Sequence, residues 1–386
     1  MKKMRVLQFI TPSGFYGAER WVLALGNNID HERVVCDLAV SKESEAQDLT
    51  LAEVYPSEAG EVHYLPMSGR FDARVISRLV EVISQRQIDV IHTHGYKSDI
   101  LGFLAARKAG IKCVSTPHGF SGKVGLKLGA FIRIGTFMLR YFDAVAPLSE
   151  ELLEDMDQFN VPQGKTHFIR NGVDLKEIDL VMSELSKGGR TANPDGRTIG
   201  FIGQMIPRKG LPDLLQVFDQ LYSIDHNLKL QLLGDGRQRP ELEALAGTLA
   251  SGSSIEFLGF RSDRLALLSR FSLFVMTSSL EGIPRCLMEA MAVGVPVVAY
   301  DIPGVDQVVE HGKTGLLAPH GDQKALAACC QQILDDPELA RRLTEAARAK
   351  IDAEYSAARM ATEYEALFNR LLGQVEPSAS PGRSTR

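Results

Sequence analysis

Short apolar runs alternate with segments of helical periodicity along almost the whole chain, and the alternation starts again after a polar break near its middle. Strand and helix in regular succession point to parallel α/β architecture, because a parallel pair needs a crossover and a helix supplies it. In the first half the apolar runs fall at 6–10, 34–40, 90–93, 113–116, 144–147 and 167–169, with helical stretches such as 18–28, 73–85, 98–109 and 149–159. The break over 183–197 is polar, contains three glycines and has almost nothing to bury, which is how an interdomain linker reads. The pattern resumes at 198–203 and continues through runs at 229–233, 255–258, 273–276, 297–299 and 315–317. The expected organisation is one Rossmann-like domain over 1–182, a second over 198–355, a last helix over 356–372 and a disordered tail over 373–386. At 386 residues, each half is long enough for its own core.

Composition narrows the class of protein. Hydrophobic residues make up 45%, charged residues 24%, and the formal net charge is −5, a balance that gives no sign of a nucleic-acid partner. The five cysteines form no C-x-x-C pair, which suits a reducing compartment. No apolar run approaches the ~18 residues of a membrane span, and the first residues lead straight into a strand, so a cytoplasmic protein is expected.

The most informative segment runs from 273 to 300. An apolar strand enters the turn Ser278-Ser279-Leu280-Glu281-Gly282, a helix should open near Pro284 and stop at Gly294, and another strand follows. In such a unit ligands sit beyond the strand's carboxyl end, over the helix N-terminus. Glu281 faces that crevice from the loop, and Glu289 lies about a turn and a half into the helix. Free helix amides favour an anion, and carboxylates accept hydrogen bonds from vicinal hydroxyls, so a nucleotide sugar fits the pair. By spacing alone, an N-terminal Glu and a core-edge Glu with no ligand explain the same residues.

Ser278 to Gly282, followed by Glu289-Ala290-Met291-Ala292-Val293-Gly294-Val295-Pro296-Val297-Val298-Ala299, resembles the signature of retaining glycosyltransferases of family 4, which have the GT-B fold. The likeness continues through Pro303-Gly304-Val305 and 312–317. It implies two Rossmann-like domains facing across a cleft, with a C-terminal helix crossing back to the first domain. It also implies transfer of a sugar from a nucleotide-diphosphate-sugar to an acceptor hydroxyl, with no cofactor and no metal. Glu281 would hold donor-sugar hydroxyls and Glu289 the ribose diol, with Gly282, Ile283 and Pro284 beside the phosphates.

Other segments carry weaker signals of the same kind. Arg208 and Lys209 precede a helix expected at 212–222, where two cations suit a diphosphate or are simply solvated. The family usually reads Gly-Arg-Leu-x-Pro-x-Lys-Gly here; Lys209 matches its lysine, but Gln204 stands where its arginine would be. Gly14 and Gly17 flank Phe15-Tyr16 in a turn before a helix, which is a plain turn or a phosphate contact; it resembles the family's Gly-Gly-Ala-Glu-type loop, lengthened here. Gly259 lies in a segment like those that shape the family's nucleotide pocket, and His118, ending a strand, matches the family histidine that touches the donor sugar. Arg170-Asn171-Gly172-Val173-Asp174 resembles a family turn placed near the cleft.

Two metal candidates are weak. His92 and His94 share one face of a strand end but have no evident third ligand, and Asp155 and Asp157 diverge on a helix. Residues 121–142 contain no acid and four basic residues among many apolar ones. Such a segment is either a core helix with snorkelling cations or a peripheral contact with the inner face of a membrane, where a lipid-linked rather than a soluble saccharide acceptor would lie. Besides a transferase in cell-surface polysaccharide or glycolipid synthesis, the sequence leaves open a nucleotide-sugar 2-epimerase and a sugar-nucleotide-binding protein that has lost transfer.

Overall fold

The computed structural model describes residues 3–12, 14–69, 72–119, 126–187 and 197–374. The linker residues 188–196, the tail residues 375–386 and residues 121–125 of the basic segment lie outside them. The chain divides into two units, Met1–Arg170 with Ala357–Arg386, and Asn171–Ser356.

The first unit contains β1 (Met4–Ile10), α1 (Gly17–Asn28), β2 (Val34–Lys42), α2 (Thr50–Val54), β3 (Val62–Pro66), α3 (Arg74–Arg86), β4 (Val90–His94), α4 (Tyr96–Ala109), β5 (Lys112–Ser115), α5 (Leu126–Met138), β6 (Ala144–Val145) and α6 (Glu150–Gln158). Its strands pair in parallel in the order β3-β2-β1-β4-β5-β6. Strand parity then sorts the side chains. Val6 and Ile10 of β1 join Trp21, Val22 and Leu25 of α1 on one face, whereas Leu7 and Phe9 join Val75 and Leu79 of α3 and Leu101 and Ala105 of α4 on the other.

The second unit contains α7 (Leu175–Lys187), β7 (Thr198–Ile202), α8 (Leu211–Tyr222), β8 (Lys229–Leu233), α9 (Arg239–Ala246), β9 (Ile255–Gly259), α10 (Arg264–Leu268), β10 (Leu273–Met276), α11 (Arg285–Val293), β11 (Val297–Asp301), α12 (Val305–Val308), β12 (Leu316–Pro319), α13 (Gln323–Asp335) and α14 (Pro337–Glu354). Its strand order, β12-β11-β10-β7-β8-β9, is that of the first sheet with the second set of strands substituted. In each sheet the order reverses beside the unit's first strand, between β1 and β4 and between β7 and β10. Ligand crevices of open α/β sheets form at such points.

The last helix, α15 (Ala357–Leu371), belongs to the first unit. Met360, Ala361, Tyr364, Leu367 and Phe368 are buried against the α1 face, and Glu365 accepts the Asp30 amide at 2.8 Å. The division at Arg170 places α7 in the second unit, so Ser183 to Lys187 form the end of a helix there and not the start of a linker.

Two sequence expectations are corrected. The run at 167–169 is not a strand: it lies beside the two-residue β6 and gives only an isolated bridge, Val145 to Thr166, with the His167 amide on the Val145 carbonyl. β3 was not expected, because on this edge strand Leu65 alone is buried and the hydrophobic signal is faint.

Candidate active site

In the second unit the loops after β7 and β10 flank the reversal point and are fastened to each other. Gly210, at φ 61°, brings its Cα so close to the Thr277 carbonyl that a Cβ would lie 2.1 Å from the oxygen. Thr277 Oγ1 donates to the Lys209 carbonyl at 3.0 Å, and the Ser279 amide to that of Arg208 at 2.8 Å. This clasp puts the two cations on Glu281. Lys209 Nζ binds Oε1, while Arg208 Nη1 binds Oε2 at 3.3 Å and the Leu280 carbonyl at 3.0 Å. Lys209 is only 7% exposed, so its charge is committed to this spot, whereas Arg208 is exposed. Gln204 is exposed beyond the end of β7, in the loop that leads to Lys209.

α11 opens immediately after Pro284 and closes at Gly294, which has φ 86°. Gly282 lies against Gly304, where a Cβ would fall 1.8 Å from the Gly282 carbonyl oxygen, and Asn171 Nδ2 donates to the Ile283 carbonyl at 3.5 Å. Glu289 is buried and shared by two guanidiniums. Arg285 Nε donates to Oε1 at 3.0 Å and Arg264 Nη2 to the same oxygen at 3.1 Å, while Arg264 also binds Glu177. Burial alone would favour loss of the Arg264 proton, but Glu289 and Glu177 outweigh it and hold the guanidinium charged. Cys286 lies among Lys209, Glu281 and Glu289, and burial pushes its thiol up to about 12. Gly259 ends β9 with φ 66°. A hollow of about 430 Å³ bounded by Arg197, Thr198, Asn227 and Lys229 lies at the opposite, amino end of β7 and β8 and holds none of the candidate residues.

In the first unit a cavity of about 200 Å³ lies at the reversal point, lined by Ala18, His94 to Tyr96, Asp99, Pro117 to Gly119 and Ile132. Gly14 and Gly17 belong to the loop entering α1, where the Tyr16 ring covers Gly14 and the Tyr16 amide donates to Glu19 Oε2 at 3.1 Å. His118 lines the cavity. It was expected from sequence; the residues that hold it were not. His94 Nδ1 lies 3.1 Å from His118 Nε2, His94 Nε2 lies 2.7 Å from Gln8 Oε1, and Trp21 packs its indole against both rings. His92 reaches Thr116 Oγ1 at 2.8 Å, which meets the Tyr364 hydroxyl at 2.6 Å. With these partners the His92 and His94 rings form part of the buried core. Burial pushes all three histidines down, His118 to about 3, so the rings are neutral at physiological pH. Asp99 accepts from Thr93 Oγ1 at 2.6 Å and Ser115 Oγ at 2.8 Å, and burial pushes its carboxyl up to about 7.

The model of Glycosyltransferase Family 4 matches residues 15–177, and that of Glycosyl transferases group 1 matches residues 183–350. The chain belongs to the family 4 glycosyltransferases. Among curated relatives, the N-acetyl-alpha-D-glucosaminyl L-malate synthase of Bacillus anthracis is 27% identical over 309 residues, 78% of this chain and 80% of that protein. The putative glycosyltransferase EpsD of Bacillus subtilis is 25% identical over 77% of this chain and 81% of its own. Among solved structures, Anabaena Alr3699/HepE in complex with UDP superposes with a TM-score of 0.77 at 19% identity, covering 95% of this chain and all of that one. This glycosyltransferase therefore has the GT-B architecture of two Rossmann-like domains. Sequence pointed to Lys209, Arg208, Glu281 and Glu289. Arg264, Gln8 and Tyr364 come to light only through contacts distant in sequence.

Proposed function

We propose that this family 4 glycosyltransferase moves a sugar from a nucleoside-diphosphate sugar to an acceptor hydroxyl, with retention of anomeric configuration and without a metal ion. The observation that carries this reading is the Lys209–Glu281–Arg208 cluster at the opening of α11, with Glu289 farther along the same helix. A departing diphosphate needs cationic and amide donors where its charge develops, and Lys209, Arg208 and the α11 amides supply them. Glu281 freed from its two cations accepts hydroxyls of the sugar, and Glu289 accepts the ribose diol. The proposed front-face mechanism needs no protein nucleophile: the departing phosphate oxygen takes the acceptor proton as the new bond forms on the same face. Solved relatives in complex with UDP and with UDP-glucose support a nucleotide-sugar donor, and relatives named for capsular polysaccharide and lipopolysaccharide core biosynthesis support a cell-envelope saccharide acceptor.

The apolar stripe of α5 and its continuation supports a lipid-linked acceptor. Ile134 and Phe137 are each 50% exposed, Tyr141 follows one turn later, and Arg140 lies over the Phe137 ring. No helix among the described residues is long and apolar enough to cross a membrane. Sedimentation with anionic vesicles tests this part: Phe137→Ser should release the protein, and equal binding by the variant would remove the membrane reading.

Thermal shift against UDP-, GDP-, ADP- and CMP-sugars, with and without EDTA, tests the donor. One nucleotide class should stabilise the wild type in both conditions and fail to stabilise Glu289→Ala, by about 2.7 kcal/mol at a hundredfold excess over Kd. Inverted anomeric coupling in the product, or dependence on a divalent ion, would overturn the mechanism.

A further inference from the structure

We propose that Gln8 and His94 are positioning residues that hold His118 in the Nε2–H tautomer, so that the ring offers its ligand only the Nδ1 lone pair and recognises a sugar hydroxyl. The inference rests on the transferase reading for what the ligand is, but not for the tautomer. The argument follows the hydrogen bonds inward from Gln8, which is fully buried on β1. Its carboxamide nitrogen lies 3.4 Å from Cys36 Sγ and its oxygen faces His94. A carboxamide oxygen only accepts, so the 2.7 Å contact requires a proton on His94 Nε2. His94 is neutral, and its Nδ1 is therefore a bare acceptor. The 3.1 Å contact to His118 Nε2 then requires the proton to sit on His118. Nδ1 of His118 has no protein partner among the described residues, in a ring that lines the cavity at the reversal point of the first sheet.

A neutral imidazole held in this way accepts a hydrogen bond from a hydroxyl and repels the oxygens of a phosphate or carboxylate. It is also a weak base, since the burial that keeps it neutral opposes protonation. Trp21, edge-on to His118 at 5.3 Å between centroids, restrains the ring from turning over. The polar triad exists because Gln8 lies opposite His92 and Ile10 opposite His94 on adjacent parallel strands, so that positions 8 and 94 are diagonal neighbours on the face covered by α1 and α15.

Long-range proton–nitrogen correlation spectra of histidine-labelled, ligand-free full-length protein at pH 7 test the proposal, with His118 assigned by its loss in His118→Gln. The expected result is a protonated Nε2 and an unprotonated Nδ1 for His118, both at fixed-tautomer positions. In Gln8→Met the His118 nitrogens should move to tautomer-averaged positions, while the His92 signals, on the separate chain through Thr116 and Tyr364, remain. An Nδ1–H signal in the wild type, or an unmoved His118 in a folded Gln8→Met protein, would overturn it. Gln8→Met should also lower kcat/KM about tenfold through the loss of one oriented hydrogen bond. A fixed Nε2–H tautomer in a protein that binds no nucleotide sugar would leave the tautomer standing and remove the transferase reading instead.

Discussion

Arg264 grips Glu289 with two nitrogens, Nη2 to Oε1 at 3.1 Å and Nε to Oε2 at 3.4 Å, from a different helix. The proposed ribose acceptor is thus held ready by a buried guanidinium that also binds Glu177. Replacing Arg264 by Met leaves the Glu289 carboxylate buried with less compensation, and the second unit should lose about 3 kcal/mol in urea titration. Adding Glu289→Gln should restore part of that loss, because the two changes act on one network. Full additivity would show that the pair is not coupled.

Lys209 and Arg208 share one carboxylate but differ in burial. Lys209→Met should reduce kcat about a hundredfold with little change in donor KM, as expected for a group whose main work is on developing charge. Arg208→Met should cost less, since its exposed guanidinium is screened by water. Steady-state kinetics on the matched donor decides the order, and equal losses would contradict it.

Gln204 is exposed beyond the end of β7, and its carboxamide carries no charge. Gln204→Arg should raise kcat/KM about fivefold at low ionic strength, and the gain should shrink in 0.5 M salt as screening shortens the reach of the new charge. A gain that persists in high salt would point to direct contact rather than to the field of the charge.

Acid should weaken the first unit. His92, His94 and His118 have depressed folded values, so the unfolded chain binds more protons than the native one below about 6.5, and stability falls as pH drops. Asp99 acts in the opposite sense. Its value is raised to about 7, so the native state holds the extra proton between the ordinary carboxyl range and pH 7, and stability rises on acidification through that window. Three losses outweigh one gain between pH 6.5 and 5. Melting of Asp99→Asn should therefore fall more steeply with acid than that of the wild type, and a shallower fall would refute this balance.

Local chemistry made much of the fold legible. α11 begins after Pro284 and ends at Gly294 because one residue fixes φ at a helix start and the other accepts a left-handed φ at its end. β3 and the false strand at 167–169 were misread because edge segments bury little on either face. At the site, Glu281 and Lys209 lie in short motifs whose spacing carries meaning. Nothing local announces Arg264, whose partner Glu289 is 25 positions away, or Tyr364, which meets Thr116 across 248 positions. Gln8 is harder still: in an apolar strand it reads as an isolated polar residue until His94 is seen to need its oxygen.

The return of α15 to the first unit has a consequence for how the protein is made. The second unit is one uninterrupted stretch whose ends meet, since the Val173 amide donates to the Tyr355 carbonyl at 2.8 Å and Val173 bridges Ser356. A ribosome moving toward the carboxyl terminus releases that stretch whole, while the half that begins the chain still lacks the helix covering Trp21 and His92. The first unit must wait for a helix made only after the whole second unit, so a truncation before Tyr364 strips the histidine cluster of its cover and damages the domain farthest from the cut in sequence.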